Sequence, residues 1–255
     1  MLISSDERID DLEYKGLKLI QNKKGFCFGV DSVLLSDFSK TIKKNTKVVD
    51  IGTGTGIISI LLCKKTNLQK IYGIEVQEDV ANLAKRNAEI NSLQDKFEVI
   101  NTNIKDVFKY IDPYKIDAVV TNPPYKKTNT GLKNINEKQL ISRHEVECNL
   151  EDIVSISAKL LKDLGELYMV HRAERLVDIM VLLRKYKLEP KIIRFVHSKA
   201  EEKPTLILVK AVKGAGEYLK IEKPLIIYRD DGEYTDEVLK IYDKKRVEKW
   251  KEKYI

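Results

Sequence analysis

The sequence predicts an α/β fold built on a doubly wound, mostly parallel sheet of seven strands that finishes with a terminal antiparallel strand. Short apolar segments alternate with segments of helical length and spacing over residues 47–186. A glycine-rich turn separates the first predicted strand from the first helix of this alternation. Two further apolar segments, 189–198 and 203–212, are joined by a short polar turn, which predicts an antiparallel pair.

The first five predicted strands are short runs of apolar and β-branched residues. The run at 47–52 ends in Asp-Ile-Gly, and the fourth strand is stopped by two prolines, which cannot continue a sheet. These strands cover residues 47–52, 70–76, 96–101, 115–125 and 165–172.

Helices are predicted where apolar residues recur three and four positions apart. Residues 78–93 follow this pattern, and residues 150–165 form an amphipathic segment that we expect to end at Gly165. The predicted helices cover residues 57–65, 78–93, 150–165 and 173–186. Residues 126–147 are polar, so a loop with a short helix is expected there.

Three regions are expected along the chain. An N-terminal extension covers residues 1–46, a core with the alternating pattern covers 47–228, and a basic C-terminal helix covers 229–255. The basic helix could contact a polyanion or could simply be solvated, and the sequence leaves both interpretations open.

Composition limits the possible classes of function. The chain has 255 residues, of which 43% are hydrophobic, and a formal net charge of +7. A basic excess favours a nucleic-acid partner, although a lysine-rich composition gives the same value. We expect no membrane segment and no secretion signal, and the three scattered cysteines with no paired histidines argue against a disulfide framework or a metal site. A reduced, cytoplasmic protein is therefore expected, and its oligomeric state is left open.

The first motif is the turn after the strand at 47–52. Asp50 is followed by Gly52, Gly54 and Gly56, a G-x-G-x-G pattern rather than the G-x-G-x-x-G of dinucleotide sites. Glycines allow a positive φ and let backbone N–H groups approach a ligand closely. The carboxylate of Asp50 would repel a pyrophosphate but can receive an ammonium group, which suits the amino-acid end of S-adenosylmethionine. The alternative is a tight turn without a ligand.

The second motif is a single acidic residue, Glu75, at the end of the second predicted strand. A carboxylate at this place relative to the glycines can accept hydrogen bonds from both ribose hydroxyls of an adenosyl group. A solvated surface glutamate is the alternative.

The third motif is the Asn122-Pro123-Pro124-Tyr125 turn after the fourth strand. Two prolines stiffen the turn and direct the amide oxygen of Asn122 and the carbonyl of Pro123 into one small volume. Both oxygens can accept hydrogen bonds from a planar NH2 group, whose lone pair is then relocalised and directed at an electrophile. Tyr125 can stack on a base turned out of its helix. The alternative is a strand-ending turn with an exposed tyrosine.

These motifs, in this order, resemble the Rossmann-like class I methyltransferases that use S-adenosylmethionine to modify amino nitrogens. From about Ile9 to Tyr228 the chain is similar to the tRNA1(Val) adenine N6-methyltransferase family of bacteria. The segments Phe26–Leu35, Arg143–Glu145 and Glu222–Tyr228 also look like features of that family. The resemblance implies methylation of the N6 amine of the adenine just 3′ of the anticodon, with tRNA as the partner.

The resemblance also implies roles for individual residues. The N-terminal extension is expected to pack on the cofactor. The implied cofactor-binding residues are Asp50, Gly52, Gly54, Gly56, Glu75, Asn103, Asn122, Phe28 and Asp31. The implied catalytic residues are Asn122, Pro123 and Tyr125. RNA contact is expected for Tyr125 and for residues that follow it in the chain, because their position places them at the rim of the site; these are Lys126, Lys127, Arg143 and His144. The alternatives are a solvated lysine face and, for His144, a surface histidine.

One position departs from the usual methyltransferase pattern. An acidic residue commonly holds the adenine amine of the cofactor after the third strand, whereas this chain has Asn103 there and Asp106 slightly later. We expect Asn103 to contact the adenine amine of the cofactor through its amide oxygen, and Asp106 is the second candidate for this contact.

Two other functions remain open from the sequence. The glutamine N5-methyltransferases that act on release factors use the same turn, because a glutamine amide presents the same planar NH2 group. That family carries a helical domain ahead of its core, whereas only 46 residues precede the first core strand here. A binding module without activity is the third possibility, and the intact glycine and Asn-Pro-Pro-Tyr motifs argue against it.

Overall fold

The computed structural model describes residues 3–12, 14–23, 29–123 and 149–242. Its centre is a nine-stranded sheet. The strands of this sheet are β3 (Lys47–Ile51), β4 (Lys70–Glu75), β5 (Phe97–Asn101), β6 (Ile116–Thr121), β7 (Leu161–Arg172), β8 (Leu188–His197), β9 (Pro204–Lys213), β10 (Lys220–Ile221) and β11 (Leu225–Ile226). A separate antiparallel hairpin precedes it, formed by β1 (Glu7–Asp11) and β2 (Lys18–Asn22).

The strand order confirms the predicted doubly wound fold. It runs β10-β8-β9-β7-β6-β3-β4-β5, and β11 also pairs with β8. Strands β3 to β7 pair in parallel, and β9 is antiparallel to both of its neighbours, β7 and β8. The predicted antiparallel strand therefore exists, but it lies between two strands and not at the edge. The short strands β10 and β11 extend the sheet beyond the seven predicted strands.

Helices cover both faces of the sheet. They are α1 (Val30–Phe38), α2 (Ile57–Lys65), α3 (Glu78–Ile90), α4 (Leu150–Leu160), α5 (Leu176–Lys185) and α6 (Asp236–Tyr242). One apolar cluster joins the sheet to α1, α2, α3 and α6, and a second cluster joins it to α4 and α5. Within the described ranges, no helix is both long enough and apolar enough to cross a bilayer.

The expected end of the helix at Gly165 is wrong. Helix α4 ends at Leu160, and β7 begins with the next residue. The ammonium group of Lys213 donates to the carbonyls of Ala158 and Leu161, both at 2.7 Å, so a lysine from β9 satisfies the end of this helix. Gly165 is needed for another reason, because a Cβ there would lie 2.8 Å from the carbonyl oxygen of Lys162.

The predicted C-terminal helix over 229–255 is also too long at its beginning. Residues 229–235 form a turn in which the N–H of Arg229 donates to the carbonyl of Glu233 and Gly232 has a φ of +85°. The helix α6 starts only at Asp236, and residues 243–255 lie outside the described part of the chain. The left-handed Gly232 cannot belong to the helix, and residues 234 and 235 are held by a bridge between Tyr228 and Tyr234 and by the N–H of Thr235, which donates to the carbonyl of Ile227.

Candidate active site

The candidate site lies where the carboxyl ends of β3, β4, β5 and β6 meet. Residues Ile51 and Thr121 are paired across β3 and β6, and Glu75 and Asn101 are paired across β4 and β5. In open α/β sheets this edge, beside the strand at which the order reverses, is where ligands bind. The sequence-predicted residues that follow these strands are therefore brought to one edge of the sheet.

The glycine turn after β3 has an open backbone face. Gly52 and Gly54 have φ angles of +70° and +56°, and a Cβ at either position would meet nothing within 4 Å. Gly56 is closed in, because a Cβ there would lie 2.7 Å from the ring of Phe97. The first two glycines thus leave room for a ligand at the backbone, and the third allows the start of α2 to pack closely.

Asp50 lies fully buried beneath this turn. Its Oδ2 atom accepts hydrogen bonds from the hydroxyls of Thr53 and Ser59, both at 2.7 Å. Its Oδ1 atom is buried and has no hydrogen-bond partner among the described residues. Burial raises the pKa of Asp50 to about 6, and the nearby charge of Glu75 adds to this effect. A buried carboxylate oxygen without a donor is costly, so a cationic donor at this place would be favourable.

Glu75 ends β4 and is only 5% exposed. Its Oε2 atom accepts from the N–H of Gly54 at 3.0 Å, and its Oε1 atom accepts from the N–H of Gln77 at 3.0 Å. The carboxylate is therefore held in place by two backbone donors. Each of its oxygens has a further lone pair, so the group can still accept from a pair of hydroxyls.

The two candidates for the adenine contact differ in their surroundings. Asn103 directly precedes the short 3-10 helix Ile104–Lys109 and caps it, since its Oδ1 atom accepts from the N–H of Lys105 at 3.0 Å. Asp106 forms an ion pair with Lys109 at 2.7 Å, and its side chain is 48% exposed. Asn103 is thus fixed at the end of β5, whereas Asp106 is paired with a neighbour on the surface.

Asn122 and Pro123 follow β6, and Pro123 is buried. The Nδ2 atom of Asn122 donates to the hydroxyl of Ser32 in α1 at 3.2 Å, which directs the amide oxygen away from that helix. Asp31, also in α1, accepts from the N–H of Ser32 at 2.8 Å. The N-terminal extension therefore contributes a helix that contacts the candidate catalytic turn.

Several predicted residues lie outside the described part of the chain. They are Phe28, Tyr125, Lys126, Lys127, Arg143 and His144. Among the described residues, no group of three or more histidine, cysteine or acidic side chains could hold a metal ion.

Three polar residues at this edge have no role that the sequence motifs predict. Ser59 bonds to Asp50, Ser32 bonds to Asn122, and Asn87 contacts the glycine turn. Each is almost fully buried on an otherwise apolar helix face. The sequence shows each of them as a polar residue within the apolar face of a helix, which indicates a buried hydrogen bond. The pattern does not indicate the partner in that bond.

Comparison with known proteins gives a consistent result. The sequence pattern of the methyltransferase small domain matches residues 29–186. A Porphyromonas gingivalis protein named tRNA1(Val) (adenine(37)-N6)-methyltransferase is 26% identical over 241 residues, which are 91% of this chain and 93% of that protein. A Flavobacterium johnsoniae protein with the same name is 25% identical over 228 residues, covering 89% of this chain and 95% of the relative.

The fold has a solved counterpart. A crystal structure from Agrobacterium tumefaciens, described as a predicted O-methyltransferase, superimposes with a TM-score of 0.67. The match covers 84% of this chain and 95% of the other at 18% identity. At this identity the likeness concerns the fold alone.

Proposed function

The chain belongs to the methyltransferase small domain family, and from this premise we propose that it methylates the N6 amine of adenine 37 in tRNA1(Val), the base just 3′ of the anticodon. The observation that carries the proposal is the agreement of relatives that share this chain over about nine-tenths of their length and carry that one name. The geometry supports the proposal, because the Gly52–Gly56 turn after β3 and the Asn122-Pro123 segment after β6 follow the carboxyl ends of two paired strands.

The proposed cofactor is S-adenosylmethionine, and the residues at the turn fit it. The open backbone at Gly52 and Gly54 leaves room for its amino-acid portion. The Oδ1 atom of Asp50, which accepts no hydrogen bond from the part of the chain that the structure describes, is suited to its ammonium group. Glu75 is proposed to accept from the ribose hydroxyls, and Asn103 from the adenine amine. Phe28, Asp31 and Gly56 complete the proposed cofactor site.

In the bound state the cofactor supplies an electrophilic methyl group on a sulfonium sulfur. The task of the protein is then orientation of the amine and exclusion of water. The Oδ1 atom of Asn122 and the carbonyl of Pro123 are proposed to accept the two hydrogens of the adenine N6 amine, so that its lone pair faces the methyl group. Tyr125 is proposed to stack on the adenine ring.

The tRNA is proposed to contact residues that follow this turn, namely Lys126, Lys127, Arg143 and His144. Single-stranded loops present accessible bases, and phosphate contacts supply most of the affinity. A glutamine side chain of a protein could also present a planar NH2 group to Asn122, so the test must separate the two substrates.

The test uses an unmodified tRNA1(Val) transcript and S-adenosylmethionine with a labelled methyl group. The expected product is N6-methyladenosine after digestion to nucleosides. A transcript in which adenine 37 is replaced by guanine is the matched control and should take up no label. Label that enters a release factor instead of the tRNA, or equal label in both transcripts, would contradict the proposed function.

A further inference from the structure

A fully buried asparagine, Asn87, lies in the last turn of α3. Its Nδ2 atom donates to the carbonyl of Thr55 in the glycine turn at 2.9 Å and to the carbonyl of Ile20 in β2 at 3.1 Å. Its Oδ1 atom accepts from the N–H of Ile20 at 2.6 Å. One side chain thus joins α3, the N-terminal hairpin and the turn that follows β3.

A second asparagine, one helical turn later, contacts the same hairpin. The Oδ1 atom of Asn91 accepts from the N–H of Lys18 at 2.9 Å, and its Nδ2 atom donates to the carbonyl of Lys18 at 2.7 Å. Lys18 and Ile20 are alternate residues of β2, so the two amides pair with this strand as a neighbouring strand would. The Nδ2 atom of Asn91 also donates to the carbonyl of Asn87 at 2.7 Å, and within the described ranges its side chain does not bond to the glycine turn. A variant at Asn91 therefore changes docking of the hairpin without removing a hydrogen bond to the turn.

The hairpin is also attached through its first strand. Arg86, adjacent to Asn87 in α3, donates to both carboxylate oxygens of Glu7 at 2.6 and 2.9 Å. The guanidinium group lowers the pKa of Glu7 to about 2, so the carboxylate remains charged at neutral pH. The hairpin is thus docked on α3 at three places, and only Asn87 extends this docking to the turn.

The carbonyl of Thr55 belongs to the peptide that links Thr55 to Gly56. The N–H of Gly56 donates to the carbonyl of Thr53 at 2.9 Å, and the N–H of Gly54 donates to Glu75 at 3.0 Å. The turn is therefore held by Glu75 on one side and by Asn87 on the other. Without Asn87, the partly buried carbonyl of Thr55 would lose a donor, which favours another conformation of the turn.

We propose that Asn87 is a positioning residue for the cofactor, which couples docking of the β1–β2 hairpin to the conformation of the Gly52–Gly56 turn. This inference rests on the proposed use of S-adenosylmethionine. Coupling between two sites is reciprocal, so cofactor binding must also stabilise the docked hairpin.

The first experiment compares Asn87→Ala with Asn91→Ala by calorimetric titration with S-adenosylmethionine. We expect Asn87→Ala to weaken cofactor binding about tenfold, the effect of the one hydrogen bond lost at the carbonyl of Thr55, and Asn91→Ala to change it less than twofold. At saturating cofactor, turnover of Asn87→Ala should stay close to that of the unaltered protein. The coupling through Thr55 would be overturned if Asn87→Ala bound the cofactor as tightly as the unaltered protein does. It would also be overturned if both variants bound it more weakly by the same factor.

The second experiment needs no variant and applies even if Asn87→Ala does not fold. Amide hydrogen exchange is measured on the unaltered protein with and without S-adenosylmethionine, following the peptide that contains Leu17 to Asn22. The cofactor should slow exchange in this peptide by a factor similar to the loss of affinity in Asn87→Ala. Unchanged exchange at saturating cofactor would overturn the inference, whereas no binding by the unaltered protein would overturn the proposed function instead.

Discussion

Two acidic residues at the ends of neighbouring strands have different environments. Asp50 receives two hydroxyl donors on one oxygen and none on the other among the described residues, and it is fully buried. Glu75 receives a backbone N–H on each oxygen. The first carboxylate is therefore short of positive partners, whereas the second is already balanced by fixed dipoles.

The raised pKa of Asp50, about 6, leads to a pH dependence of cofactor affinity. Without a ligand, the raised pKa lowers the stability of the folded protein as the pH rises from the ordinary pKa of an aspartate, 3.8, to about 6, and the loss is constant above that pH. An ammonium group beside Oδ1 favours the ionised form, so cofactor affinity should rise with pH up to about 6 and then level off. Calorimetric titrations from pH 5 to 8 test this.

The variant Asp50→Asn supplies the control for that titration. It should bind more weakly above pH 6 and show no change of affinity through the same range. If the affinity of Asp50→Asn still rises with pH as that of the unaltered protein does, another group is responsible for the titration.

Ser32 provides a second prediction at the residue scale. Its hydroxyl accepts from the Nδ2 atom of Asn122, so Ser32→Ala removes one of the hydrogen bonds that orient this amide. We expect a turnover loss of about three- to tenfold, the effect of one neutral hydrogen bond, with cofactor affinity retained. Asn122→Ala should lose about 10²–10³ in turnover, as a positioned polar group does.

The matched control for Ser32 lies one turn further along α1. The hydroxyl of Ser36 is buried and donates within the helix to the carbonyl of Val33 at 2.7 Å, away from Asn122. Ser36→Ala should therefore retain full turnover. A similar loss in both serine variants would indicate a general disturbance of α1.

At the scale of elements, the C-terminal end of the helix α4 is capped by the side chain of Lys213, the last residue of β9. The ammonium group of Lys213 bonds to the carbonyls of Ala158 and Leu161 and lies 4.2 Å from the centre of the Tyr114 ring. A cation at a helix C-terminus stabilises by about 0.3–1 kcal/mol, and the hydrogen bonds add to this. We expect Lys213→Met to lower the melting temperature by about 2–4 °C.

The control for this prediction is Lys159→Met, which removes an exposed lysine from the last turn of the same helix. It should lower the melting temperature by less than half as much. An equal change in both variants, measured by calorimetry, would show that general charge near the helix end matters more than the contacts of Lys213.

The elements that the sequence predicted well are those defined by local pattern. The strand β4 begins and α3 begins at the predicted residues, because buried apolar runs and helical spacing are local properties. The predicted end of α4 was wrong because Lys213 in β9, more than fifty positions away, donates to the carbonyls at the end of this helix. The β1–β2 hairpin was not predicted, because its contacts with Asn87 and Asn91 come from more than sixty positions away in the sequence.

At the scale of the whole molecule, the candidate site joins segments that are far apart in the sequence. Motifs at the ends of β3, β4 and β6 could be predicted because parallel strands bring their carboxyl ends together. The contact of Ser32 with Asn122 and the contact of Asn87 with Thr55 could not, because each joins elements from different layers. Neither residue belongs to a recognisable short motif, so only the packed fold indicates its partner.

The distribution of charge leads to the last prediction, which concerns how tRNA is held. One base at the proposed catalytic turn, Asn122 to Tyr125, cannot by itself bind a tRNA, so phosphate contacts must supply much of the affinity. The lysines directly after this turn, Lys126 and Lys127, are proposed to make such contacts. Affinity for tRNA should then fall steeply with salt, with a logarithmic slope of about −0.7 for each phosphate neutralised on a single strand.

The double variant Lys126→Ala/Lys127→Ala should weaken tRNA binding and reduce that slope, while cofactor affinity stays the same. Its matched control is Lys43→Ala/Lys44→Ala, which removes two consecutive exposed lysines just before β3, at the opposite edge of the sheet from the candidate site. Filter-binding measurements at two salt concentrations compare the variants, because general attraction of a basic protein for RNA would weaken equally in both pairs. An equal effect of the two pairs, or an affinity that does not depend on salt, would contradict a specific role for the two lysines that follow Tyr125 in the sequence.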